Sequence, residues 1–237
     1  MTTPPPYFAA YYRSLVVQQE LGIPRHSRRI LDVGCDDTYI LMQAQAEMRV
    51  GIDSALPRPR STLPAVSIVR ALAEELPLLD GSFDTIFAFD VLEHVVADRA
   101  VMHEMTRVLA PDGAIWISTP AARTRFFPWF ITPYANRSFG HVRNGYTPDQ
   151  LIALLPHPPA WEVRWFWWHE PFLRLNFLPL HALSLLGMHR PMRLATRLCY
   201  QLDRRWRDGD RGHLLAQIRR RSSPNTANTA GEREKGK

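Results

Sequence analysis

The sequence predicts an α/β fold: a doubly wound, mostly parallel seven-stranded sheet with helices on both faces and a helical insertion before the last strand. Three observations carry that expectation. Short runs rich in Val, Ile and Phe alternate with stretches of helical spacing. The first run enters a turn at Gly34 and the second ends on an acid, Asp53, which is the layout of a sheet that binds its ligand beyond the carboxyl ends of its strands. Two further apolar runs near the C-terminus flank a segment of different composition, so that segment is an insertion.

Residues 6–21 read as a leading helix, because Phe8, Tyr12, Leu15 and Val16 share one helical face and Gly22 with Pro24 supplies the stop. Five strands follow at 29–34, 48–53, 66–70, 83–89 and 114–119. Each is short and almost continuously apolar, as a strand covered on both faces must be. Residues 93–109 form a helix between the last two, with Val101, Met105, Val108 and Leu109 at helical spacing, and Pro111, Asp112 and Gly113 turn the chain into the fifth strand. Thr147 and Gln150 form a capping box around Pro148, starting a helix that stops at Pro156. Residues 161–168 are the sixth strand and 213–219 the seventh, with the insertion at 172–206 between them. Residues 1–221 are expected to form a single domain, and 222–237, polar and without aromatics, a disordered tail.

Composition narrows the function classes. Cys35 and Cys199 have neither a disulfide framework nor a zinc-ligand spacing. Residues 1–6 lack a basic segment followed by an apolar one, so a cytoplasmic protein is expected. From Arg190 onward there are 13 basic and 5 acidic residues, against 16 basic and 18 acidic before it, so the net charge of +6 belongs to the C-terminal quarter. There, Arg190, Arg193, Arg197, Arg204, Arg205 and Arg207 stand among Leu194, Leu198, Tyr200, Leu202 and Trp206. That mixture suits either helices that cap a pocket or peripheral contact with an anionic membrane, on the inner face of which the protein would then sit. The longest uncharged stretch, 175–188, reaches about 21 Å as a helix at ~1.5 Å per residue, short of a hydrocarbon core of about 30 Å.

The chemistry is concentrated between Ile30 and Asp53. A carboxylate at the end of the second strand accepts hydrogen bonds from the two hydroxyls of a ribose, so the layout suits an adenosine cofactor. Of the three glycines of a dinucleotide loop only Gly34 is present, and Asp36 and Asp37 repel a pyrophosphate. The same acids attract a sulfonium and an ammonium, which favours S-adenosyl-L-methionine over a nicotinamide dinucleotide.

At this point the sequence resembles a family, the class I S-adenosylmethionine-dependent methyltransferases of the small-molecule type 11 branch. The resemblance spans about residues 28–155 and rests on five motifs in order. They are Leu31-Asp32-Val33-Gly34-Cys35; Gly51-Ile52-Asp53; Ala73-Glu74-Glu75-Leu76-Pro77 with Gly81-Ser82-Phe83-Asp84; Val91-Leu92-Glu93-His94-Val95; and Arg107-Val108-Leu109-Ala110-Pro111-Asp112-Gly113. It implies a Rossmann-like methyltransferase fold, with Asp32, Gly34 and Asp36 near the methionine part of the cofactor, Asp53 on the ribose, Leu72 and Ala73 at the adenine, and residues from Asp90 to His94 bordering the reaction site. Two positions depart from the family pattern. Asp36 and Thr38 replace further glycines of the turn, and Leu72 stands where many relatives carry an acid.

Transfer from a sulfonium is an in-line displacement that mainly requires alignment. A hydroxyl acceptor also needs a base, and His94 and His141 are the candidates. Neither has metal-ligand spacing to a second ligand, so no metal is expected. The segment after the fifth strand, Ser118-Thr119-Pro120-Ala121, lacks the Asn/Asp-Pro-Pro-aromatic run of base-methylating enzymes, which disfavours nucleic acid. Residues 120–146 carry Phe126, Phe127, Trp129, Phe130, Tyr134 and Phe139, the composition of a lid over an apolar, small-molecule or lipid-linked acceptor. The alternative reading is a non-catalytic adenosyl-ligand-binding or membrane-interface protein on the same fold.

Overall fold

The computed structural model describes residues 8–20, 26–36, 39–55, 66–125, 128–205 and 212–221. The expected disordered tail at 222–237 lies outside them, as do Asp37, Thr38, Phe126, Phe127, Trp206 and Arg207. Seven strands form one sheet of order β3-β2-β1-β4-β5-β7-β6: β1 (His26–Val33), β2 (Gln45–Asp53), β3 (Val66–Arg70), β4 (Phe83–Phe89), β5 (Leu109–Pro120), β6 (Trp161–Trp168) and β7 (His213–Arg220). β7 runs antiparallel to both β5 and β6, and the pairs among β1 to β5 are parallel. The expected doubly wound sheet is therefore present, and the reversal of β7 brings its first residue to the edge where the parallel strands end.

Burial explains the continuous apolar runs. Leu31, Ile86, Ile115 and Leu214 pack on one face of the sheet, while their sequence neighbours Ile30, Phe87, Trp116 and Leu215 pack on the other. The first face is covered by α3 (Asp98–Val108), which buries Val101, Met102, Met105 and Val108, and by α5 (Pro148–Leu154), which buries Leu151 and Leu154. The second is covered by α1 (Phe8–Glu20) and by the helices between β6 and β7, namely α6 (Pro171–Leu175), α7 (Phe177–Leu185) and α8 (His189–Asp203). Two further short helices among the described residues are α2 (Tyr39–Gln43) and α4 (Thr132–Ser138). Each large apolar side chain buried in these layers contributes roughly 1.5 to 3 kcal/mol.

The helix expected at 93–109 is instead a 3-10 turn, Leu92–His94, followed by an extended Val95 and only then α3. Side chains from the loop before α5 hold this break open. Arg143 donates to Val95 O at 2.8 Å and pairs with Asp98, and the Tyr146 hydroxyl lies 2.7 Å from Asp98 Oδ2. The capping box of α5 is present, with Thr147 accepting from Gln150 N and Pro148 in the first turn.

The insertion is tied to α1 through one buried carboxylate. Tyr12 donates to Asp203 Oδ2 at 2.7 Å, Trp168 Nε1 donates to the Tyr12 hydroxyl at 2.7 Å, and Phe172 N donates to Asp203 Oδ1 at 2.9 Å. α6 has no capping side chain of its own, so Asp203 at the end of α8 satisfies its first free N–H groups. Burial pushes the Asp203 carboxyl up to about 6.

Candidate active site

The site forms where β1, β2, β3 and β4 end. Gly34 and Cys35 donate their N–H groups to Ile52 O at 2.7 and 3.1 Å, which curls the turn after β1 over the end of β2. Gly34 has φ +70°, and a β-carbon there would lie 2.6 Å from Val91 Cγ2, so the turn requires glycine twice over. Asp53 is held by this turn: Asp36 N donates to its Oδ2 at 3.1 Å and Ala55 N to its Oδ1 at 3.0 Å. Its carboxylate is thereby oriented beside the loop before any ligand arrives.

Asp90 follows β4 in the left-handed region, with φ +54°. A non-glycine residue in that conformation stores about 1 to 3 kcal/mol of strain, and such residues gather at functional sites. The side chain explains its retention. Ser118 donates to Asp90 Oδ1 at 2.7 Å, Arg13 pairs with Oδ2, and the His213 ring lies 3.4 Å from Oδ1. Burial opposes ionisation of Asp90, but the charges of Arg13 and His213 outweigh it and hold the carboxyl well below the usual range. His213 Nδ1 is also 2.5 Å from Glu170 Oε1. Burial alone favours a neutral ring there; Glu170 and Asp90 overcome it and raise His213 to about 10. His213 is thus an imidazolium clamped between two carboxylates.

The other histidines differ. His94 closes the 3-10 turn, and His141 lies in the loop whose Val142 N–H donates to Glu93 O at 2.8 Å. Gly145 seats the same loop, since at φ +126° a β-carbon would lie 2.0 Å from Pro120 O. These contacts bring the His94 and His141 rings to 4.7 Å, edge to face. Burial, then the His94 charge, lowers His141 to about 4, so its ring is neutral near pH 7. Beside them Glu93 is fully buried; Thr119 donates to one of its oxygens at 3.2 Å, and the other has no hydrogen-bond partner. Burial, then the charge of Asp90, pushes Glu93 up to about 8.

These groups line one cavity of about 820 Å³. Of the residues expected in the site, Gly34, Asp36, Asp53, Leu72, Ala73, Asp90, His94 and His141 line it together. Asp32 does not: it lies buried within β1. Leu72 is 57% exposed at the rim, and Glu74 lines the wall two residues on. Of the aromatics between 120 and 146, Phe139 lines the cavity, whereas Trp129, Phe130 and Tyr134 face outward and are more than 60% exposed. The aromatic wall comes instead from Phe8 of α1 and Phe177 of α7, whose rings lie 5.4 Å apart, with Phe139 5.9 Å from Phe177. Arg13, Glu170 and His213 were absent from the residues the sequence singled out, whereas Glu93 lay within the Asp90 to His94 stretch expected to border the reaction site. His213 had a readable signal, because an antiparallel last strand starts where its parallel neighbours end; Arg13 and Glu170 had none.

A sheet of this order with one reversed strand, a glycine turn after β1 and an acid at the end of β2 defines the class I methyltransferase architecture. Residues 31–117 match the methyltransferase-domain family, type 11. It is 34% identical over 150 residues to a probable S-adenosylmethionine-dependent methyltransferase of Mycobacterium tuberculosis, covering 61% of this chain and 53% of that one. It is also 34% identical over 128 residues to a probable S-adenosylmethionine-dependent methyltransferase of Mycolicibacterium smegmatis, covering 52% and 49%. The chain thus spans about half the length of the curated relatives it matches. An S-adenosylmethionine-dependent methyltransferase from Mesorhizobium loti shares the fold, with a TM-score of 0.59 and 18% identity over 92% of this chain and 100% of that one.

Proposed function

We propose that this chain transfers a methyl group from S-adenosyl-L-methionine to a small-molecule or lipid-linked apolar acceptor, at oxygen or carbon. The observation that carries the reading is the composition of the single cavity described above: acids and a glycine turn at the strand ends, and an aromatic wall of Phe8, Phe139 and Phe177 opposite them. Its volume lies within the roughly 300 to 1,000 Å³ of small-molecule sites. The residues fit the donor. Asp53, already oriented by two backbone N–H groups, accepts from the ribose hydroxyls; the Gly34 turn lets the backbone approach the methionine part; Leu72 and Ala73 face the adenine. S-adenosylmethionine supplies an activated methyl group, so the protein's task is alignment and proton removal. His141, neutral and half-buried beside His94, receives the proton of a hydroxyl acceptor.

The test is calorimetry with S-adenosylhomocysteine followed by a labelled-methyl assay on a cell extract. Binding with labelled product supports the reading. Binding without product favours a non-catalytic adenosyl-binding protein, and absence of binding removes both.

The insertion carries a second, compatible reading, peripheral attachment to an anionic membrane. Leu173, Arg174 and Phe177 line the cavity, which supports a capping role. The opposite side exposes Leu185, Leu186, Met188, Leu194 and Leu198 beside Arg190 and Arg193, the mixture that lies in an acidic lipid interface. No helix among the described residues is long and apolar enough to cross a membrane. Flotation with vesicles of acidic against neutral lipid separates the readings. Salt-sensitive recovery with acidic vesicles supports attachment, and equal recovery with both, or none, leaves capping alone.

A further inference from the structure

The geometry points to a divalent metal site made by Glu93, His94 and His141, whose open positions face the cavity and take the oxygen of the methyl acceptor. A carboxylate oxygen of Glu93 and one ring nitrogen from each histidine lie within 4.8 Å of one another, and a cation bound among them would draw them in to ligand distances of about 2.0 to 2.2 Å. Spacing along the sequence conceals the set, because the loop that delivers His141 is fastened only in the fold, by Val142 N–H on Glu93 O and by Arg143 on Val95 O.

The second observation is an unsatisfied one. Glu93 is 0% exposed, yet one oxygen has no partner, and the buried Nδ1 of His141 has none either. A buried carboxyl oxygen without a partner is unfavourable unless something occupies its lone pairs. Two such atoms, one on each of two residues that already approach one another, are what a bound cation satisfies. The rest of the wall agrees: Glu93, His94 and His141 all line the cavity beside Asp90, so the cation is accessible from it.

Two imidazoles and one carboxylate are the donor set of a catalytic rather than a structural site, because three protein ligands leave positions free. Imidazole nitrogens select a transition metal such as zinc, iron or nickel over magnesium or calcium. The assignment of the acceptor rests on the methyl-transfer reading; the metal site itself does not. It narrows the acceptor to a hydroxyl compound, a phenol or an enol, whose oxygen binds the cation and becomes more acidic. With the cation bound, His141 is a ligand rather than the base, so the hydroxyl proton leaves to solvent, the oxygen lone pair forms the bond to the methyl carbon, and the sulfur–methyl bond breaks with its electron pair remaining on sulfur. The sulfonium charge is thereby cancelled, and the products are the methyl ether and S-adenosylhomocysteine.

The experiment uses the tag-free full chain, treated with chelator and dialysed, and titrated with Zn²⁺ by calorimetry. One site per chain is expected, with affinity falling at least about tenfold in each of Glu93→Gln, His94→Ala and His141→Ala. Titration with Co²⁺ gives an independent signature, visible absorption bands in the wild type that the His94→Ala protein lacks. His94 is exposed, so that variant tests the site even where Glu93→Gln fails to fold, and circular dichroism reports folding for all three. No Zn²⁺ binding by the wild type, or equal affinity in the folded variants, overturns the site and leaves methyl transfer standing. Zn²⁺ binding at these residues by a protein that fails to bind S-adenosylhomocysteine overturns the methyl-transfer reading and leaves the metal site standing.

Discussion

Replacing His213 by alanine removes the ring that stands between Glu170 and Asp90, and the consequence is a change in how stability depends on pH. In the wild type the imidazolium lies 2.5 Å from Glu170 Oε1 and 3.4 Å from Asp90 Oδ1. Its folded pKa of about 10 is above the unfolded value near 6.5, so its stabilisation is complete below about pH 6.5 and is lost as pH rises through 10. Breaking a buried pair by removing one partner costs about 3 to 5 kcal/mol, and Glu170 is 5% exposed with Arg174 at 3.4 Å its remaining ion pair among the described residues. Urea unfolding followed by tryptophan fluorescence at several values from about pH 7 to about pH 10 measures the effect. His213→Ala should be less stable by about 3 to 5 kcal/mol at neutral pH, and the two curves should converge toward about pH 10. Groups away from Glu170 and Asp90, the two carboxyls that His213 holds down, contribute equally to both proteins and cancel in the difference. Parallel curves, with a constant gap or none, would refute the reasoning, because they would mean that His213 is not held as a cation by the fold.

Three further outcomes are expected. Asp53→Ala should lower affinity for S-adenosylhomocysteine at least tenfold by calorimetry, since each charge-assisted bond to a ribose hydroxyl contributes about 1.5 to 3 kcal/mol; unchanged affinity removes the ribose from that strand end. Leu72→Asp, at an exposed rim position, should tighten the same ligand by supplying an acceptor for the adenine amine, and weaker binding would mean that the adenine lies elsewhere. Gly145→Ala should lower the melting temperature markedly, because its β-carbon would lie 2.0 Å from Pro120 O and the φ of +126° is itself strained by about 1 to 3 kcal/mol. An unaltered melt would show that the loop carrying His141 moves freely.

All seven strands were legible in the sequence; the central ones were so because a strand buried on both faces must be apolar along its length, and Ile30 and Leu31 of β1 show this by packing into opposite layers. Gly34 and Asp53 were legible because their roles are local: a positive φ at a strand end, and an acid one strand over. The helix expected from residue 93 was misplaced for a physical reason. Helical spacing is real from Asp98 onward, but Arg143 and Tyr146, distant in sequence, stabilise the non-helical segment before it. The lid aromatics were misjudged similarly, since composition marks 120–146 as apolar without saying which side faces the cavity; Phe139 faces inward and Tyr134 does not.

The sequence by itself determined the alternation of strands and helices, the glycine turn, the acid at the end of β2 and the capped start of α5, each of which is set by neighbours a few positions away. Tertiary structure alone decided the charge states of His141 and His213 and the company they keep. His213 is cationic because the reversed β7 sets it against Asp90 and Glu170, and His141 is neutral because its loop is buried against His94. A titration depends on burial and on the charges within a few ångströms, and those distances exist only after residues from α1, β4, β6, β7 and the loop before α5 have been packed at one end of the sheet.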